Sequence, residues 1–140
     1  MYDLIKVNTA TKYPEIETYH ALGERGRLTD EVTEFPNMAV YTEKVDGTNG
    51  RIILLPGQDY LIGSREELLG AKGDRVTNPK EGIVPALREL ADRLVRSDDL
   101  ITTFYLEVYG GKVGPQAKQY STTGAVGYRL FDVSTVDAHI

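Results

Sequence analysis

Cysteine is absent from this chain of 140 residues. Disulfides and cysteine-ligated zinc are thereby excluded, and the composition fits a reducing cytoplasm. Histidine is scarce: His20 and His139 stand far apart and form no metal-ligand spacing. No apolar run approaches the ~20 residues needed to cross a bilayer. The start, Met1-Tyr2-Asp3, has neither the basic nor the apolar region of a signal peptide. Repeats and low-complexity tracts are also missing. Positive charge is in deficit, with a net charge of −5. That argues against broad, nonspecific binding to a phosphate backbone, which needs clustered lysine and arginine. A local basic groove, or a basic neighbouring domain, is still compatible with it.

What is present is a globular balance. Hydrophobic residues make up 41% and charged residues 26%, which sets the chain apart from disordered sequences. Its length suits one modest domain with a single core, spanning residues 1–140.

Local patterns predict a short strand from Leu4 to Val7. They predict a short helix over residues 14–22, opened by Pro14, and a charged loop over 24–36. A strand is expected from Met38 to Lys44 and another from Arg51 to Leu55. The turn Asp46-Gly47-Thr48-Asn49-Gly50 between them reads as a hairpin connection. Tyr60 to Arg65 follows as a third strand after Pro56-Gly57, and 66–82 reads mostly as loop. The clearest helix spans 84–96, where Leu87, Leu90, Ala91, Leu94 and Val95 share one face. Arg88 with Asp92 and Glu89 with Arg93 form i,i+4 pairs on the other face. Such pairs are worth only ~0.2–0.5 kcal/mol each, so burial of the apolar face must hold this helix.

Ile101 to Tyr109 is predicted as a strand. Phe104, Leu106 and Val108 fall on one face, and Tyr105, Glu107 and Tyr109 on the other. Residues 110–124 form a Gly-rich polar loop, and Tyr128 to Val133 a last strand. Strands outnumber helices and several are hairpin-linked. The expected fold class is α+β, built mainly on antiparallel sheet.

One segment carries chemistry in its order: Glu43-Lys44-Val45-Asp46-Gly47-Thr48-Asn49. It contains K-x-D-G, a lysine and an acid beside a glycine turn. A free lysine amine has a pKa of ~10.4 and must lose its proton before it attacks. Desolvation or a nearby cation would favour that loss. Glu43 and Asp46 act in the opposite sense, so Asp46 is better placed to orient the lysine than to deprotonate it. Taken alone, K-x-D-G fits a solvated turn as well as a nucleophile.

The segment resembles the adenylation motif of the covalent nucleotidyltransferases: DNA ligases, RNA ligases and mRNA capping enzymes. DNA ligases and capping enzymes usually carry arginine five positions after the lysine. Asn49 stands there instead, and E-K-x-x-G-T-N is similar to the RNA ligases, especially those that seal nicks in duplex RNA. The resemblance implies that Lys44 takes AMP from ATP, with Mg²⁺ or Mn²⁺ as the cation. RNA ends, including those of nicked duplexes, would be the partners, with RNA repair or RNA editing as the role.

The likeness continues downstream in the family's order. Leu61-Ile62-Gly63-Ser64-Arg65 matches at Arg65, a residue expected near the ribose and the substrate end. Phe104-Tyr105-Leu106-Glu107-Val108-Tyr109-Gly110 looks like the third motif, which makes Glu107 the carboxylate for the ribose hydroxyls. Gly127-Tyr128-Arg129-Leu130-Phe131-Asp132-Val133 resembles the next, with Tyr128 as the ring that stacks on adenine and Phe131 as core. Asn49 is implied as a contact to the nucleotide or the sealed strand, and Glu43 as part of the adenine pocket. Without the resemblance, Arg65 is a surface arginine ending a strand and Glu107 an exposed strand glutamate. Asn49 would be a turn asparagine, and Tyr128 one of nine tyrosines in a half-buried sheet position.

Two later family motifs, E-G-x-[VI] and K-x-K, do not follow Asp132. Glu81-Gly82-Ile83-Val84 spells the first but precedes Glu107, and it reads as a loop and helix entry. The expectation is the N-terminal portion of an adenylation domain, with a sheet edge open to association. Readings as a DNA ligase, a capping-type enzyme or a noncatalytic nucleotide- or RNA-binding relative stay open at this point.

Overall fold

The computed structural model describes residues 1–73, 82–94, 98–111 and 125–140. It divides into two units, one formed by Met1–Tyr13 with Val45–Ile140 and the other by Pro14–Lys44.

The larger unit opens with helix α1, Leu4–Ala10, where a strand is predicted. The Asp3 side chain decides it: its carboxylate accepts from the amides of Ile5 and Lys6 at 3.0 and 3.3 Å, capping the helix. Val7 is the buried residue of this helix.

In the smaller unit, β1 (His20–Leu22) pairs antiparallel with β2 (Leu28–Val32). The helix predicted over 14–22 and the uninterrupted loop over 24–36 are both corrected by this hairpin. A nine-residue helix is marginal by itself. Here the ladder is reinforced by side chains, since Thr29 Oγ1 donates to Ala21 O at 2.8 Å and His20 Nδ1 lies 2.9 Å from Thr29 O. Arg25 and Gly26, both at positive φ, make the turn between the strands.

The main sheet holds β3 (Thr48–Leu55), β4 (Asp59–Ser64), β5 (Leu68–Ala71), β6 (Leu100–Gly110) and β7 (Val126–Asp137). Their order is β5-β4-β3-β6-β7, and every pair is antiparallel. The α+β class built on antiparallel sheet therefore holds. The strand expected over 38–44 does not form. Strand β3 has β4 on one side and β6 on the other, so no edge of β3 is left to complete that hairpin. Strand β5 also corrects the loop expected over 66–82, of which 74–81 lie outside the described residues.

Helix α2, Ile83–Leu94, begins one residue before the predicted span; residues 95 and 96 lie outside the described residues. Ile83, Val84, Leu87 and Ala91 bury against Ile52, Leu54, Ile62, Leu106 and Val108 of the sheet. Gly50 makes this fit possible, because a Cβ there would lie 2.9 Å from Leu87 Cδ1. Arg88 and Asp92, expected to pair with each other, are tied to the sheet instead. Arg88 donates to Ala71 O at 3.1 Å, and Asp92 accepts from the buried Tyr60 hydroxyl at 2.7 Å. These bonds explain the helix position better than i,i+4 pairing could.

The opposite sheet face packs Val7 with Ile53, Leu55, Leu61 and Ile101. Arg51 also points to this side and is fully buried. Its Nε donates to Ser64 O at 2.8 Å, and its Nη1 to Asn8 O and Thr11 Oγ1 at 3.1 and 2.9 Å. Its Nη2 donates to Asn8 Oδ1. Burial lowers its pKa, yet all three guanidinium nitrogens have partners, the condition for burying such a group.

Candidate functional site

The site is built on the end of the sheet where β3 begins. Gly47, just before β3, passes so close to β6 that a Cβ there would lie 2.1 Å from Val108 O. Any other residue would push the K-x-D-G turn away from the sheet. The Gly47 amide donates to Glu107 Oε1 at 3.0 Å. One hydrogen bond therefore joins the first predicted motif to the third.

Asn49 lies inside β3 rather than in a turn, and faces Glu107 directly across the ladder. Glu107 in turn faces Arg129 on β7. Directly opposed residues of an antiparallel pair share a face, so Asn49, Glu107 and Arg129 form one row. The β3–β4 ladder ends at Gly50 opposite Ser64, and Arg65 follows one residue beyond, exposed at the β4 end. Its Nε lies 3.7 Å from Glu66 Oε1. Three expected residues, Asn49, Glu107 and Arg65, thus gather at one end of the sheet.

The row carries an unsatisfied group. Asn49 Oδ1 is buried and accepts no hydrogen bond. Such an acceptor is costly unless a donor reaches it. Beside the Glu107 carboxylate it makes an acceptor-rich patch, and hydroxyl donors of a ribose match that chemistry.

Glu43 and Lys44 end the smaller unit, and both side chains are exposed, as is Asp46. Tyr128 stands elsewhere. It pairs with Val108 on the α2 face, in a groove of about 270 Å³ shared with Leu90, Leu94, Phe104, Leu106 and Leu130. The sheet separates it from Glu107 and Asn49.

Phe131 corrects a different expectation. It is 47% exposed instead of core. Between Tyr105 and Leu106 the β6–β7 register shifts, with Asp132 opposite Tyr105 and Leu130 opposite Leu106. Phe131 is the extra residue of this bulge. Bulges re-aim side chains, and here the ring meets Tyr13 and Tyr105 at centroid distances of 5.3 and 6.3 Å. Tyr13 also donates to Asp132 Oδ2 at 2.8 Å. That bond, with burial and the Asp132 charge, raises the Tyr13 pKa.

Arg129 is the residue that sequence reasoning missed. It adds a cation to the row, and only the strand order β3-β6-β7 reveals it. Alternation alone sets Arg129 on the face opposite Tyr128 and Leu130, without saying what it stands beside. Among the described residues, no group of three His, Asp or Glu side chains is arranged to hold a metal ion. No helix among them is long and apolar enough to cross a membrane.

No curated protein and no solved structure matches the chain. A family model described as RNA ligase matches residues 38–139. The match runs from just before the Lys44 motif through the whole of β7, and so takes in every residue of the row. With most of its length covered in this way, the chain belongs to the RNA ligase family.

Proposed function

We propose that this protein joins 5′-phosphate and 3′-hydroxyl RNA ends through an adenylated Lys44. The observation that carries the reading is the Gly47–Glu107 hydrogen bond. It ties the turn next to the nucleophile to the carboxylate assigned to the ribose, within a chain of the RNA ligase family.

In the proposed first step, the neutral Lys44 amine attacks the α-phosphorus of ATP. An Nζ–P bond forms, the bond to the bridging oxygen breaks, pyrophosphate leaves and the amine gives up a proton. An oxygen of the RNA 5′-phosphate then attacks the same phosphorus; a P–O–P linkage forms, the Nζ–P bond breaks and the lysine amine takes back a proton. The 3′-hydroxyl attacks the RNA 5′-phosphorus so activated and expels AMP. Asp46 orients the turn, Glu107 and Asn49 receive the ribose hydroxyls, and Arg65 lies toward the RNA end. Glu43 borders the adenine. A divalent cation, Mg²⁺ or Mn²⁺, would neutralise phosphate charge during these transfers.

Two rings are available to the adenine, Tyr128 by motif position and Phe131 by sheet face. Tyr128→Ala and Phe131→Ala, compared for ATP binding, separate them: the ring that stacks is the one whose loss weakens binding.

The test of the function is joining itself. Radiolabelled 5′-phosphate RNA is offered as single strands, as a nicked RNA duplex and as a nicked DNA duplex. ATP-dependent joining of RNA that disappears in Lys44→Ala supports the reading. Joining of DNA alone, or none under any condition, refutes it for this chain.

A further inference from the structure

We propose that Glu107 is a positioning residue for the nucleophile turn as well as a ribose contact, so that one carboxylate couples nucleotide occupancy to the placement of Lys44. The inference rests on the adenylation reading above and assigns a second task to the same site.

The geometry starts at Gly47. Its amide finds its acceptor in a side chain, Glu107 Oε1 at 3.0 Å, rather than in a backbone carbonyl of the ladder. Strand β3 pairs with β6 from Thr48 onward, so Gly47 is the residue at which the chain joins the sheet. A hydrogen bond to an ionised acceptor is among the stronger kinds. The same glycine is wedged against Val108 O and Tyr109 Cβ, which leaves little room for the turn to settle elsewhere.

Glu107 is well suited to be the fixed partner. Strand β6 is paired along its length with β3 and β7, so its backbone is held from both sides. A group mounted on such a strand keeps its geometry better than one on a loop. Only Val45 and Asp46 stand between Lys44 and Gly47, and three Cα–Cα steps limit the two Cα atoms to about 11 Å. Fixing Gly47 therefore restricts where the lysine can be. The Asn49 carboxamide, directly opposite Glu107 with its oxygen unpartnered, lies on the same face. A ribose that donates to this pair would meet the carboxylate already engaged with the turn.

Dideoxy-ATP isolates the second task, because it lacks both ribose hydroxyls while its α-phosphate is unchanged. The rate of Lys44 labelling is measured by intact mass at saturating nucleotide for wild type, Glu107→Gln and Glu107→Ala, with ATP and with 2′,3′-dideoxy-ATP. Hydrogen exchange of the Gly47 amide is followed in the same proteins without nucleotide. The inference predicts that Glu107→Ala labels about 10- to 100-fold more slowly than wild type with the dideoxy nucleotide, the range for one charge-assisted hydrogen bond. The deficit should fall on the saturated rate. Glu107→Gln, which keeps an acceptor oxygen, should recover much of that rate, and Gly47 exchange should be fast only in Glu107→Ala.

Equal rates for wild type and Glu107→Ala on dideoxy-ATP, with a difference on ATP, would confine Glu107 to the ribose and overturn the inference. Unchanged Gly47 exchange in Glu107→Ala overturns it as well, whatever the rates. Absence of label in wild type with either nucleotide refutes the adenylation reading itself, and the coupling with it.

Discussion

Arg51 and Thr11 are locked together by a hydrogen bond of 2.9 Å from Nη1 to Oγ1, both side chains buried. That bond fastens the end of α1 to the second sheet face, and the same guanidinium reaches Asn8 and Ser64. Arg51→Ala strands these acceptors and empties the space. The expected loss is about 3 kcal/mol or more of folding stability. Arg51→Lys should recover little, because an ammonium cannot reproduce the planar fork. Urea unfolding midpoints check both.

Gly47→Ala should act on chemistry more than on the core. The added Cβ would meet Val108 O at 2.1 Å, so the turn must leave its place against β6. We expect a drop of about 100-fold or more in Lys44 labelling, as a small misplacement at a reacting group can cause. The α2 core should still melt cooperatively. Labelling rates and a thermal melt of the same variant separate the two effects.

Asn49→Ala makes the opposite comparison with Arg51. Its Oδ1 has no partner to lose, so the substitution should change stability by less than about 0.5 kcal/mol. If the oxygen receives a ribose hydroxyl, ATP binding should weaken by about tenfold, as expected for one hydrogen bond. Calorimetric titration with ATP and with 2′,3′-dideoxy-ATP reads this directly. The variant and the wild type should bind the dideoxy nucleotide alike.

Much of the architecture was legible in the sequence because burial has a period. The alternation of Phe104, Leu106 and Val108 marked the α2 face of β6, and Leu87, Leu90 and Ala91 marked the helix that covers it. Alternation cannot show partners. Met38 to Lys44 reads as a strand, yet both edges of β3 are already taken. Leu4 to Val7 looks extended until Asp3 is seen capping it. The candidate site divides in the same way. Motif order pointed to Gly47, Asn49 and Glu107, which the ladder brings together. Arg129 needed the strand order, and the exposure of Phe131 needed the bulge, neither of which has a local signature.

Alkaline pH offers a test of the helix–sheet tie. Burial, then the hydrogen bond to Asp92, raises the Tyr60 pKa above its ordinary value of 10.0. The folded state therefore holds this proton more tightly than the unfolded chain. Its stabilising contribution is fully present below about pH 10 and is lost as pH rises through the folded pKa. Denaturation midpoints should thus fall more steeply above pH 10 in wild type than in Tyr60→Phe, which cannot titrate there. Parallel curves for the two proteins would remove Tyr60 as the cause.

The measurement closest to the central claim is the intact mass of the chain after incubation with ATP and Mg²⁺, alongside Lys44→Ala. Wild type should gain one AMP, the gain should map to Lys44, and the variant should gain none. A wild-type mass that does not change, or a label that persists in Lys44→Ala, would contradict that claim.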